Sequence, residues 1–354
     1  MKVLQLIDSL DAGGAERIAV TLANVLSKEV EASHLCVTRA EGVLKRQLSS
    51  KVHFEFIRKK STLDLRAVIK LRSYLKLYKI DVIHAHTTSY FFGTLVKIVY
   101  PKVKLIWHTH LGKRVDTLRR QNMMLYFCSL FFTSIIAVNQ ELKSWCLRKL
   151  LVSDVFYVPN FVVFPEPNEE VQNSRELSIV CLANLKTPKN HLNLIYAFQK
   201  IHNDFPNWKL LLAGKDFEDN YSKKLNEVIE DAGLENKVVF LGQQEEVDLL
   251  LSRCSIGVLA SDSEGLPMVL LEYGMAELVV IATKVGHCED VLAGFGLTVA
   301  PKDSNALSKG LATYMEDEGK RKTDSKLFRN HIRGNYSVEA VLPQLMNIYN
   351  KISY

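Results

Sequence analysis

The stretch Ser263-Glu264-Gly265-Leu266-Pro267-Met268-Val269-Leu270-Leu271-Glu272 decides how this chain is read. Gly265 and Pro267 stop the strand before them, and a proline suits the first turn of a helix, where its missing N–H costs nothing. The apolar run from Met268 to Ala276 then predicts a helix. Glu264 falls in the loop ahead of it, and Glu272 falls a turn or more inside it. Between the carboxylates lies a helix N-terminus, whose unpaired backbone N–H groups suit a phosphate. A carboxylate, a phosphate cradle and a second carboxylate fit a sugar nucleotide. Each acid accepts hydrogen bonds from hydroxyls, one set on a sugar and one on a ribose. Two glutamates by themselves fit an acidic loop and a solvated helix face better, so the rest of the chain has to shift the balance.

Working outward, the second half alternates apolar strands with helices. Leu177–Leu182, Trp208–Ala213, Val238–Leu241, Ile256–Leu259, Val279–Ala282 and Leu297–Val299 read as strands, with helices such as Asn193–His202 and Tyr221–Ala232 between them. The first half has the same rhythm: strands at Val3–Ile7, Leu35–Thr38, Val52–Ile57, Val82–His86, Lys104–Trp107 and Ile135–Val138, and a helix at Ala15–Leu26. The break between them is the Pro- and Glu-rich stretch from Pro159 to Ser174. The expected architecture is α/β: two Rossmann-like, doubly wound parallel-sheet domains facing a cleft, spanning 1–165 and 166–335. Residues 336–354 are expected to form a helix packing back on the N-terminal domain. Ligands in such sheets bind at the carboxyl ends of strands.

The chain has 354 residues, 47% of them hydrophobic and 24% charged, ordinary for a globular protein large enough for two cores. Its six cysteines show no CxxC pair, which argues against a zinc site or disulfide framework and suits a reducing compartment. The first residues read as a buried strand rather than a signal peptide. The longest apolar run, Met123 to Val138, is shorter than the roughly 20 residues of a spanning helix and reads as a core helix running into a strand. Charge is uneven. Residues 1–165 carry 25 Lys and Arg against 12 Asp and Glu, a balance of +13; residues 166–354 carry 20 against 27, a balance of −7. The first half is therefore expected to face something anionic. Arg66 to Lys79 sets cations around an apolar stripe at 68, 71, 75 and 78. That pattern fits a helix lying on a bilayer and equally one covering a sheet. Aromatics do not interleave with the cations, so nucleic acid is not an expected partner.

Three loops carry chemistry-bearing residues. The first strand runs into Asp8-Ser9-Leu10-Asp11-Ala12-Gly13-Gly14-Ala15-Glu16-Arg17. Gly13 and Gly14 permit close backbone approach to a ligand, or simply a tight turn; the spacing is not GxGxxG. Asn184-Leu185-Lys186-Thr187-Pro188-Lys189 places two lysines beyond a strand end, where they can neutralise a diphosphate. Trp107-His108-Thr109-His110 places two histidines on one side of an extended segment, suited to a sugar hydroxyl; spacing supplies no third ligand for a metal. Asp216-Phe217-Glu218-Asp219 reads as a surface turn, so no acidic pair to hold a cation is expected.

The ordered set Gly13-Gly14-Ala15-Glu16-Arg17, Asp81-Val82-Ile83-His84-Ala85-His86, Ile136-Ala137-Val138-Asn139, Val158-Pro159-Asn160, Lys189-Asn190, Leu241-Gly242 and Glu264/Glu272 resembles the retaining glycosyltransferases of family 4, of GT-B fold. The resemblance covers nearly the whole chain. It implies transfer of a sugar from a nucleoside diphosphate sugar, UDP- or GDP-linked, to a lipid-linked or polysaccharide acceptor, as in capsule, O-antigen or lipopolysaccharide assembly. Transfer would retain anomeric configuration and use no metal or cofactor. It implies that Glu264, His110 and Lys189 serve the reaction, with Glu264 on donor-sugar hydroxyls and Lys189 on the diphosphate. Glu272 would bind the ribose. Gly265, Leu266, Met268 and Val269 would present N–H groups to the phosphates, and Gly242 would end the strand before a loop covering the base. Gly13 and Gly14 would close over the phosphates from the other domain. The enzyme is expected to be cytoplasmic, peripheral at the inner face of an anionic membrane. The chain departs from the family where an arginine commonly stands: here it is Asn184, with Lys186 nearby as a substitute charge. Pro159-Asn160-Phe161, Tyr273-Gly274 and Glu277-Leu278-Val279 also depart. Two other readings share the fold, a sugar-nucleotide epimerase and an inactive scaffold.

Overall fold

The computed structural model describes residues 1–11, 13–110, 122–163 and 175–353. The expected boundary at 165/166 lies outside them. The chain forms two compact units, Met1–Phe161 with Val338–Tyr354, and Val162–Ser337.

In the first unit, strands β1 (Lys2–Ser9), β2 (Ala32–Ala40), β3 (His53–Phe56), β4 (Val82–His86), β5 (Lys104–Thr109), β6 (Ser134–Ala137) and β7 (Val155–Tyr157) form a parallel sheet ordered β3-β2-β1-β4-β5-β6-β7. Helices α1 (Gly14–Leu26), α2 (Leu65–Tyr78), α3 (Tyr90–Val99), α4 (Met123–Cys128) and α5 (Gln140–Lys149) alternate with the strands. The order reverses between β1 and β4, the place where such sheets bind ligands. Alternation along each strand sorts side chains to two faces. Leu4, Leu6, Ile83, Ala85, Leu105 and Trp107 share a core with residues of α2 and α3. Val3, Val82, Ile106 and Ile136 meet the last helix of this unit, Val338–Ser353, through Val341, Leu345, Ile348 and Tyr349.

In the second unit, strands β8 (Ser178–Leu182), β9 (Lys209–Ala213), β10 (Val238–Gly242), β11 (Ile256–Leu259), β12 (Val279–Thr283) and β13 (Leu297–Val299) pair in parallel, ordered β10-β9-β8-β11-β12-β13. The helices are α6 (His191–Gln199), α7 (Asn220–Asp231), α8 (Val247–Arg253), α9 (Met268–Met275), α10 (Cys288–Leu292), α11 (Ser304–Glu316) and α12 (Glu318–Tyr336); α13 is Val338–Ser353 of the first unit. Here the order reverses between β8 and β11, so the loops after those strands are the ones placed to hold a ligand.

Several readings shift. The run from Met123 to Val138 is broken into α4, a 3-10 turn at Ser129–Phe131 and β6. The strand β7 escapes the apolar pattern because it is three residues long. On α2 the inward stripe is Ala67, Val68, Leu71 and Leu75, while Tyr78 is 37% exposed. Pro267 is the N-cap of α9 rather than its first helical residue, with ψ at 106°, and the helix ends at Met275. Among the described residues no helix is long and apolar enough to cross a membrane. All six cysteines are buried, and no disulfide links them.

Candidate functional site

In the second unit the β8–α6 and β11–α9 loops are tied together by two polar links. Lys189 Nζ lies 2.6 Å from Glu264 Oε1, and the Ser261 hydroxyl donates to the same oxygen at 2.6 Å. Asn190 Nδ2 donates to Asp262 Oδ1 at 2.7 Å, while Asn190 Oδ1 caps α6 by accepting from the Asn193 N–H at 3.2 Å. Asn190 adopts a left-handed conformation, φ 49°, which asparagine tolerates better than most residues. Backbone bonds brace the pair from below: Asp262 N–H donates to Pro188 O, His287 N–H to Gly265 O, and the Thr283 hydroxyl to Ser261 O. Gly286 has φ 53°, and a Cβ there would stand 2.3 Å from Glu264 O, so glycine is required for the β12–α10 turn to lie against Glu264. Ser261, Asp262 and Gly286 were missed by sequence reasoning. Only Ser261 and Asp262 left a signal, as polar residues beside Glu264.

Helix α9 starts directly after this loop, and no side chain caps it. Its first N–H groups therefore have no side-chain cap, and the loop that leads into them carries Glu264, the partner of Lys189; a helix N-terminus favours an anion. Gly265 lies in the loop that leads to them, and Leu266, Met268 and Val269 rest half-buried against the core. Glu272 is buried one turn along. Next to it, Tyr273 is fully buried, its oxygen 2.8 Å from the Leu182 N–H and 3.2 Å from both Val180 O and Val258 O. A Cβ on Gly257 would stand 2.6 Å from Tyr273 Cδ2. This bulky residue thus fits because β11 provides a glycine beneath it, and the helix carrying Glu272 is pinned to β8 and β11. Gly274 makes room in turn for Ile332 and Phe328 of α12. Glu277 takes a left-handed turn with φ 58°, and Arg175 donates to its carbonyl and to that of Ala276, both at 2.6 Å, satisfying the end of α9.

The other expected donor-site residues make contacts of their own. Asn184 accepts from the Lys215 N–H at 3.0 Å and shapes the β8 loop. The Lys186 ammonium stands 5.6 Å from the Phe217 ring centre, with Lys215 at 5.2 Å from the same ring. Gly242 ends β10 at φ 65° and accepts from the Gly214 N–H. Asp219 caps α7 through the Tyr221 and Ser222 N–H groups, and Asp216 accepts from Glu218 N–H and the Ser222 hydroxyl.

In the first unit, Gly13 is the N-cap of α1 and Gly14 its first residue. The Glu16 carboxylate folds over Gly13, where a Cβ would meet Oε2 at 2.2 Å. Burial raises the Glu16 carboxyl, its own N–H opposes this, and Asp11 and Asp8 raise it further. The expected phosphate position is thus lined by a resident acid. Asp8 is held by Thr38, Thr88, Lys59 and Arg39. Burial would raise its carboxyl, but these partners outweigh it and hold it low.

Register between β4 and β5 sets His86 opposite His108, and Gln5 of β1 opposite His84. All stand on the face covered by α13. His84 Nδ1 is 2.6 Å from the Tyr349 hydroxyl and Nε2 3.0 Å from His108 Nδ1. His86 Nε2 is 2.8 Å from Gln5 Oε1 and Nδ1 3.1 Å from His110 Nε2. One nitrogen from each of His84, His86 and His108 lies within 4.8 Å of the others, a third imidazole that spacing along the sequence did not reveal. Burial depresses all four: His84 to about 3, His110 to about 4 with Asn160 opposing, and His86 and His108 well below the ordinary 6.5. His110 turns both ring nitrogens inward, Nε2 onto His86 and Nδ1 into a buried position.

Residues 164–330 match the family model Glycosyl transferases group 1, and residues 12–163 match Glycosyltransferase Family 4. The chain belongs to the family 4 glycosyltransferases. It is 26% identical over 338 residues to a Campylobacter jejuni enzyme named GalNAc-alpha-(1->4)-GalNAc-alpha-(1->3)-diNAcBac-PP-undecaprenol alpha-1,4-N-acetyl-D-galactosaminyltransferase, covering 91% of each chain. It is 24% identical over 320 residues to the Escherichia coli UDP-Gal:alpha-D-GlcNAc-diphosphoundecaprenol alpha-1,3-galactosyltransferase, covering 81% of this chain and 79% of that one. Its fold is that of Anabaena HepE, solved with UDP and glucose, at TM-score 0.84 and 19% identity over 99% of this chain and 100% of that chain. A GT-B glycosyltransferase therefore displaces the epimerase and scaffold readings.

Proposed function

We propose that this glycosyltransferase moves a sugar from a UDP- or GDP-linked donor to a lipid-linked or polysaccharide acceptor, with retention and without a metal. The observation that carries the reading is the Lys189–Glu264 pair standing beside the uncapped start of α9, with Glu272 one turn along. The Lys189 ammonium and the first N–H groups of α9 stabilise the leaving diphosphate. Glu264 takes a hydrogen bond from a donor-sugar hydroxyl, and Glu272 takes those of the ribose. In place of a metal, the charge on the leaving group meets a lysine and a helix N-terminus, while the stretch most like a paired-acid motif, Asp216 to Asp219, is occupied in shaping and capping a helix start. The names of the Campylobacter jejuni and Escherichia coli relatives support a diphospholipid acceptor.

The acceptor is met at an anionic membrane surface, on the cytoplasmic side. Helix α3 packs between α2 and α4. Outward from these helices stand Leu65, Ile69, Leu77, Met123, Phe127 and Leu130, each more than half exposed. Arg66, Lys70, Arg72 and Lys76 lie on the same helix α2, so apolar side chains enter the acyl boundary while cations meet headgroups.

A thermal-shift panel of nucleoside diphosphates and their sugars, with EDTA present, tests the donor site. Ligand at about 100 times its dissociation constant adds roughly 2.7 kcal/mol. A rise with one base family that Glu272→Ala abolishes supports the reading; no rise with any nucleotide overturns it. The membrane reading predicts sedimentation with anionic vesicles and release at high salt. Equal sedimentation with neutral vesicles would defeat it.

A further inference from the structure

The histidine cluster of the first unit has more order than its burial requires. A neutral imidazole carries one N–H and one lone pair, so each contact between rings fixes the next. The Gln5 Oε1 atom only accepts, so His86 Nε2, 2.8 Å away, donates. The lone pair of His86 is then on Nδ1, and His110 Nε2 donates to it across 3.1 Å. The Gln5 amide nitrogen makes no hydrogen bond of normal geometry, but its N–H acts on the Tyr349 oxygen. That leaves the Tyr349 hydroxyl hydrogen for His84 Nδ1, 2.6 Å away. His84 Nε2 carries the hydrogen and donates to His108 Nδ1 across 3.0 Å. The chains end on His108 Nε2, buried and without a hydrogen-bond partner among the described residues, and on His110, whose other polar neighbour is the Asn160 side chain.

We infer that Gln5 is a positioning residue: its side-chain amide, reached through β1, sets all four histidines as neutral Nε2–H tautomers and holds His110 with its one N–H turned inward. Gln5 does this from the sheet interior, where it is fully buried. The functional consequence rests on the part in the reaction that the family resemblance implies for His110. Held this way, His110 keeps its one N–H on His86 and supplies no proton to the leaving diphosphate. The competing use of these rings, coordination of a transition metal, takes the same lone pairs that the hydrogen bonds occupy.

The test is a long-range ¹H–¹⁵N correlation spectrum of the full chain labelled at histidine, at neutral pH, with single histidine variants for assignment. Neutral Nε2–H signatures for His84, His86, His108 and His110 are expected. An Nδ1–H signature or an imidazolium at His86 or His110 overturns the inference, and so does displacement of these signals by stoichiometric Zn²⁺ added alone. In Gln5→Met, which keeps length and loses the acceptor, His86 and His110 are expected to lose their single-tautomer signature. The kcat of Gln5→Met is expected to fall about tenfold with the nucleotide-sugar KM unchanged, the pattern of lost positioning. Wild-type signals and kcat in Gln5→Met overturn the role. If Gln5→Met does not fold, the wild-type spectrum alone decides. If the wild-type protein turns over no sugar nucleotide, the proposed function falls, and the tautomers still stand or fall by the spectrum.

Discussion

The two units share an architecture and differ in where they keep their polar groups. The second unit places them on loops beyond strand ends: Lys189, Asn190, Ser261, Asp262 and Glu264, charged in part and partly exposed. The first unit buries Gln5, His84, His86 and His108 within the strands themselves, pairing them with one another. A loop site can trade its internal ion pair for a ligand at little structural cost. A polar cluster inside a sheet is part of the packing, and disturbing it disturbs the unit that holds it.

The largest effect that would break this contrast is on catalysis. Glu264→Gln keeps the shape of the loop, removes the charge facing Lys189 and weakens the contact to the sugar. Transfer is expected to fall about 10² to 10³-fold, the range seen when one transition-state contact is removed. Thermal stability should change little. A variant that transfers at the parental rate, measured with labelled donor sugar, would show that the second unit's loop pair is structural after all.

Acid comes next and weighs more on the first unit, which holds the four clustered histidines, while in the second burial holds His191 down at about 4. Each buried histidine has a folded pKa below its unfolded value near 6.5, so the unfolded chain binds more protons in the interval between them. Stability from these groups is complete above about 6.5 and is lost as pH falls toward the folded values, about 3 for His84 and about 4 for His110. His110 alone contributes on the order of 3 kcal/mol across that window. Hydrogen exchange at pH 5 is therefore expected to rise in the first unit's β4 and β5 well before β8 and β11 of the second. Uniform loss of protection in both sheets would remove the distinction.

The smallest effect sharpens the second unit's side. Gly257→Ala drives a methyl into the Tyr273 ring. A loss of about 1–3 kcal/mol is expected, typical of overpacking, with weaker nucleotide binding because Tyr273 anchors the helix that carries Glu272. Unfolding in urea measures the first, and calorimetric titration with nucleotide measures the second.

The same contrast explains what could be read from the sequence. Fold class, the alternation of strands and helices and the Glu264–Glu272 segment are local: each is written in consecutive residues with a clear period or punctuation. Glu264 and Lys189 were both singled out, but their ion pair was not, since 75 positions separate them. Lys186 looked as good a diphosphate clamp as Lys189, and only the loop's course sets it beside Phe217. The histidine cluster draws on β1, β4, β5 and α13, and depends on strand register, which no single stretch encodes. Glu16 over Gly13 was hidden for the opposite reason: it lies so close in sequence that it read as part of an ordinary first helical turn.

The helix α13 has a consequence for synthesis. Its residues Val341, Leu345, Ile348 and Tyr349 complete a sheet whose first strand begins at Lys2. A ribosome delivers the first unit's strands early but withholds their cover until residues 338–353 are made. The second unit, contiguous from Val162 to Ser337, is complete while its predecessor still exposes Val3, Val82 and Ile106. Domains usually mature in the order they emerge. Here the order inverts: the unit made first finishes last, and a premature stop anywhere before residue 340 leaves it with a bare apolar face for chaperones and proteases to find.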